Sequence, residues 1–167
     1  MRNGTLAGAV AAIRLMGCAP SPAPVPVTGA PGDVHALAGE WRGDYASDET
    51  GRSGNIIFGL AAGSDTAFGD VLMIPDGYGE APRDGDSALD RWRQSPDVLS
   101  IRFVQVGGGI VRGALDPYED PECRCQVTTV FEGRLSGDTI EGTFWTRPEQ
   151  GGPARQGRWR VARTARP

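Results

Sequence analysis

Residues 131–144 read Phe131-Glu132-Gly133-Arg134-Leu135-Ser136-Gly137-Asp138-Thr139-Ile140-Glu141-Gly142-Thr143-Phe144, and their period decides the fold class. Phe131, Gly133 and Leu135 alternate with Glu132 and Arg134, and Ile140, Gly142 and Phe144 alternate with Thr139, Glu141 and Thr143. A period of two on both arms is that of β-strands, whose successive side chains face opposite ways. Ser136-Gly137-Asp138 supplies the turn, because glycine tolerates a positive φ and aspartate suits the same tight hairpin. One face of the hairpin is apolar and the other is charged or hydroxylated.

A lone hairpin is marginal in water, so further strands must cover the apolar face. The chain supplies them by repetition. The segment 138–144 has a close echo at 65–71 and a looser one at 109–115, and the echoes follow Phe131, Phe58 and Phe103 at similar distances. The alternation predicts strands at 37–45, 55–60, 67–74, 98–106, 110–115, 125–135, 139–147 and 157–163. Such a series of antiparallel strands joined by short turns favours an all-β, eight-stranded up-and-down barrel, because closure removes exposed sheet edges. The polar segment 75–97, with Asp76-Gly77, Asp84-Gly85 and Ser95-Pro96, reads as a long loop with one helical turn at 87–94.

The 167 residues, 39% of them hydrophobic, suffice for one globular domain. A net charge of -4 leaves no basic footprint for nucleic acid. The 17 positive residues are all arginine, and 25 glycines and 13 prolines fit a turn-rich β protein with a disordered segment.

Met1-Arg2-Asn3 and the small apolar run 4–13 form an export signal, too short for a stable membrane span. Leu15-Met16-Gly17-Cys18 follows and resembles the lipobox of bacterial lipoproteins, with Arg14 as a departure from that pattern. The resemblance implies lipidation of Cys18, a membrane attachment through the lipid only, and, since Ala19 is not the retention aspartate, the periplasmic side of an outer membrane. Plain secretion is the second choice. The proline-rich segment 19–32 is expected to be a disordered tether, roughly 3 Å long per residue, leaving 33–167 as the barrel domain.

The predicted inner face carries Trp41, Tyr45, Phe58, Leu99, Ile101, Phe103, Val111, Val127, Ile140, Phe144, Trp159 and Val161, and no charge. Glycines recur on it at 43, 69, 113, 133, 142 and 157, either to permit the bends of a small barrel or to leave room for a ligand. Gly39-Glu40-Trp41 matches the Gly-x-Trp of the lipocalin first strand, and Arg158 or Arg160 stands on the closing strand, where that family sets an arginine against the tryptophan. The chain thus resembles the calycins, the lipocalin/avidin-like barrels, although its long loop follows the third strand and not the first. Envelope inhibitors of lysozyme and of metalloproteases build eight-stranded barrels as well.

Cys123 and Cys125 remain as a pair once Cys18 is assigned to the lipid. In an oxidising envelope they are expected to form a disulfide, within one chain or between two copies. A metal site with Asp116, Glu119, Asp120 or Glu122 is disfavoured: only two thiolates are present, and His35 is the sole histidine. His35 has no acid and nucleophile pattern around it, the pair Glu132 and Glu141 reads as solvated charge opposite Arg134, and Gly107-Gly108-Gly109 belongs to a hairpin turn and not to a phosphate loop. No catalytic group and no cofactor is therefore assigned. Gly77-Tyr78-Gly79 and Arg91-Trp92-Arg93 suit a cover over the barrel mouth or a partner contact.

Two functions compete. In the first, the barrel binds a small apolar molecule lined by Trp41, Tyr45, Phe58, Phe103 and Phe144. In the second, a packed barrel acts on an envelope protein through its surface. Interior volume separates them.

Overall fold

The computed structural model describes residues 23–74, 96–121 and 123–165. In chain order they form β1 (Pro24–Gly29), α1 (Pro31–Leu37), β2 (Gly39–Ala46), β3 (Ser53–Leu60), β4 (Thr66–Ile74), β5 (Asp97–Gly107), β6 (Ile110–Leu115), β7 (Tyr118–Asp120), β8 (Cys125–Ser136), β9 (Thr139–Pro148) and β10 (Arg155–Ala165). Each predicted strand is present. The hairpin at the centre of the sequence reading is β8–β9, in register from Ser136↔Thr139 outward, with Gly137 at φ 60° in its turn.

Strands β2 to β6 and β8 to β10 pair antiparallel with their neighbours, β10 closes on β2 and β6 closes on β8. The barrel nevertheless has nine strands, not eight, because β1 enters between β4 and β5. β7 pairs with β8 beyond the end of β6.

β1 corrects the reading of 19–32 as tether. Val25 and Val27 are buried while Pro24, Pro26 and Thr28 are exposed, the signature of a strand. Its prolines are tolerated because alternate amides face opposite neighbours. Val27 donates to Asp65 on the β4 side, whereas pairing with β5 begins only at Val27, past both prolines. Pro31 then starts α1, whose fixed φ suits a helix's first turn. The folded domain therefore begins at least nine residues before the expected Asp33.

The inner face is packed by aromatic rings lying on glycines. Phe131 faces Gly113, Phe144 faces Gly157 and Tyr45 faces Gly54 across the ladders. A Cβ added to Gly133 would come 2.5 Å from the Trp159 ring. Tyr45 meets Phe144 and Phe131 meets Trp159 edge to face, both at 5.6 Å between centroids. At Gly54, Gly113, Gly133 and Gly157 the packing shows a third role beside the two considered, a seat for a ring, whereas Gly43, Gly69 and Gly142 lie close against the backbone of neighbouring strands.

Candidate functional site: the barrel interior

The chain direction assigns the two ends of the barrel. Hairpin turns after β3, β5 and β8, together with α1, gather at one, the helix end; segments 47–52, 116–124 and 149–154 gather at the other, the loop end.

At the helix end α1 packs on β1 and β5 and places buried Leu37 in the cavity wall. Trp41, 0% exposed, donates from Nε1 to the Leu37 carbonyl at 2.8 Å. The Arg163 guanidinium stacks on the Trp41 ring, 4.2 Å from its centroid, and donates to the Ala36 and Ala38 carbonyls and to the Asp138 carboxylate. This cation on an aromatic face is the contact that the lipocalin resemblance implied, but Arg163 makes it. Arg158 and Arg160 face outward, toward Asp48 and Glu141. Parity gives the reason: Trp159 and Val161 point inward, so Arg163 continues their face and the other two arginines lie on the opposite one.

From this floor an apolar cavity of about 100 Å³ runs toward the loop end. Trp41, Tyr45, Phe58 and Phe144, four of the five expected binding residues, line it. Phe103 does not. A bulge in β5 sets Ile101 and Phe103 against adjacent residues Leu115 and Ala114, so the inward positions change from Leu99 and Ile101 to Val104 and Val106. One extra residue turns every later side chain over, and Phe103 is 41% exposed on the outer surface.

The loop end corrects the expectation of an uncharged interior. Arg52 and Asp120 form a bidentate ion pair inside it, both bonds 2.6 Å, with Asp120 only 2% exposed. Fork-to-carboxylate geometry makes such a burial tolerable. Asp120 also accepts from the Cys123 amide, and Cys123 is bonded to Cys125 within the same chain. The disulfide therefore closes the turn that presents Asp120, with Arg124 between the sulfurs at φ 52°. Thr129 and Thr146, opposite each other on β8 and β9, join hydroxyls at 2.8 Å, and Tyr118 Oη lies 3.2 Å from Thr129. Ser47 donates to the Gln156 carbonyl.

Tyr45 differs from these neighbours. Its ring is in the cavity wall and its hydroxyl is buried near the Ile74 backbone, yet it makes no hydrogen bond of ordinary geometry. Burial pushes its ionisation well above the usual phenol value; Tyr118 adds to that rise, and Arg52 and a hydrogen-bonding contribution from the Ile74 backbone oppose it.

His35 is exposed on α1, and Glu132 and Glu141 reach Arg112 and Arg160 on the outer surface. Among the described residues no group of three or more His, Cys, Asp or Glu side chains is placed to hold a metal ion. Cys18, Gly77-Tyr78-Gly79 and Arg91-Trp92-Arg93 lie outside the described residues. Comparison with protein-family models, curated proteins and solved structures gives no match.

Proposed function

We propose that this chain is a cell-envelope lipoprotein whose barrel binds a small, largely apolar molecule. The observation that carries the reading is the apolar cavity lined by Trp41, Tyr45, Phe58 and Phe144. Its 100 Å³ falls well short of the roughly 300–1,000 Å³ of pockets for drug-sized ligands. It is nearer the roughly 150 Å³ apolar cavity that takes up benzene. The ligand is thus of one-ring size, and a long acyl chain does not fit the barrel as it stands.

The Trp41–Arg163 stack supports a calycin-like ancestry, and the lipobox-like Leu15-Met16-Gly17-Cys18 supports attachment by lipid on the periplasmic face of an outer membrane. Native mass spectrometry of the full chain purified from an envelope fraction tests the binding: a bound mass below about 150 Da that leaves on denaturation is expected for a one-ring ligand. An empty barrel whose melting temperature ignores saturating benzene and phenol would overturn it. Cys18→Ser is expected to release the protein from the membrane fraction.

A second reading, action on another envelope protein, is favoured by one observation. Phe103, Ala114, Val130 and Trp145 are direct cross-strand partners on β5, β6, β8 and β9, and Phe103, Val130 and Trp145 stand exposed on the outside. Such a row is an apolar stripe of the kind that contacts partners.

A further inference from the structure

We propose that the flank of the barrel built from β4, β1 and β5 lies against the bilayer that holds the Cys18 lipid, with Phe68, Val98 and Phe103 in its interface. This deepens, and rests on, the lipid attachment proposed above.

Two observations meet at this flank. The first is apolar exposure. Phe68 on β4 is 53% exposed, and Val98 and Phe103 on β5 are 58% and 41% exposed. Pro24 and Pro26 of β1 face outward between them: Pro24 is the cross-strand partner of Phe68, and the parallel register that sets Val27 against Val104 puts Pro26 beside Phe103. Partners across a ladder share a face. A plane can touch a barrel only along a few adjacent strands, and these three are adjacent.

The second is where the chain enters the barrel. Cys18 precedes the first described residue, Ala23, by five positions, at most about 18 Å in full extension. A free tether through residue 32 could hold the domain clear of a membrane, but β1 takes most of that reach into the wall. β1 also joins the wall away from both rims, since β4 pairs with β1 at Phe68 and with β5 from Asp70 onward. The chain therefore reaches its anchor from the middle of this flank.

Charge points the same way. The loop end exposes Asp48, Glu49, Asp116 and Glu119, and the helix end exposes His35 and Asp65, polar groups that an end-on contact would have to desolvate. Beside the apolar patch Asp70 and Arg102 carry opposite charge, so the contact needs no anionic lipid. An apolar face lying on a membrane sinks about 5–10 Å, to the boundary of headgroups and acyl chains.

The test uses the full lipidated chain in neutral phosphatidylcholine vesicles, with a nitroxide attached after Phe68→Cys, Val98→Cys or Arg158→Cys. Arg158 is exposed on β10, across the barrel from β1. At 68 and 98 the label is expected to be relaxed by bilayer-dissolved oxygen and several-fold less by a water-soluble nickel chelate than at 158. Adding Phe68→Ser and Phe103→Ser, both at exposed positions, is expected to return label 98 to the chelate; no change there would overturn the part given to the rings. Equal chelate access at all three positions of a lipidated chain overturns the contact and leaves the attachment standing. Labels at 68 and 98 shielded from oxygen and chelate alike overturn it in favour of a protein, or a second copy, on this flank. A purified chain with no acyl mass on Cys18 sinks both.

Discussion

At the helix end of the barrel the buried groups are answered by the chain itself, whereas at the loop end one is not. Around Trp41 the indole N–H has the Leu37 carbonyl and the ring face has Arg163, whose own donors reach Ala36, Ala38 and Asp138. Around Tyr45 the neighbours Arg52, Asp120, Thr129 and Thr146 are equally well matched, but the phenol hydroxyl, near the Ile74 backbone, makes no hydrogen bond of ordinary geometry. Both ends use an arginine, and they use it differently. Arg163 fastens α1, the β8–β9 turn and β2 together; Arg52 is paired with the Asp120 carboxylate in the turn closed by Cys123 and Cys125. The contrast separates a fully bonded floor from a loop end with one buried hydroxyl short of a good hydrogen bond, and three perturbations sharpen it.

Asp120→Ala has the largest expected effect. It leaves the buried Arg52 charge without its carboxylate, which costs on the order of 3–5 kcal/mol in denaturant unfolding. Asp120→Leu combined with Arg52→Met should recover most of that loss, since a buried pair is commonly replaceable by apolar residues. Failure of the double variant to recover would show that the pair also positions the 116–124 turn.

Arg163→Met comes next. It removes the stack on Trp41 and several charge-assisted bonds while retaining the aliphatic stem, for a loss of about 2 kcal/mol. A loss near zero would mean that α1 and β1 hold the helix end without it.

Alkaline pH gives a smaller, graded effect from the loop end. The raised ionisation of Tyr45 means that the folded state keeps its proton where the unfolded chain, near pH 10, releases it. That contribution is fully present below about pH 10 and falls by up to about 1.4 kcal/mol per pH unit above it, until the folded phenol ionises too. Subtracting the unfolding curves of Tyr45→Phe from those of the wild type isolates the slope; equal pH dependence of the two would contradict it.

Legibility from sequence follows the same division. Period-two alternation was enough for the eight meander strands and for closure, and four of the five inward aromatics assigned as cavity lining follow from it. It fails where backbone irregularity breaks parity: the β5 bulge at Ile101 and Phe103 leaves no mark in the residue types. Parity carried further would have found Thr129 and Thr146, which extend the inward faces of Phe131 and Phe144 by two residues, and Arg163, which extends that of Val161. Treating polarity as outward-facing hid all three. Pro24 and Pro26 masked β1, although Val25 and Val27 alternate between and beyond them. The Arg52–Asp120 pair joins two connecting segments 68 residues apart, and neither segment carries a local signal of the other.

The sign of the Tyr45→Phe effect tests the contrast most directly. With a buried hydroxyl that makes no hydrogen bond of ordinary geometry, removing it should stabilise the fold, by about 1 kcal/mol in denaturant unfolding. A Tyr45→Phe protein about 1 kcal/mol less stable than the wild type would mean that the chain already satisfies Tyr45, through the Ile74 backbone. The loop end would then be as finished as the floor.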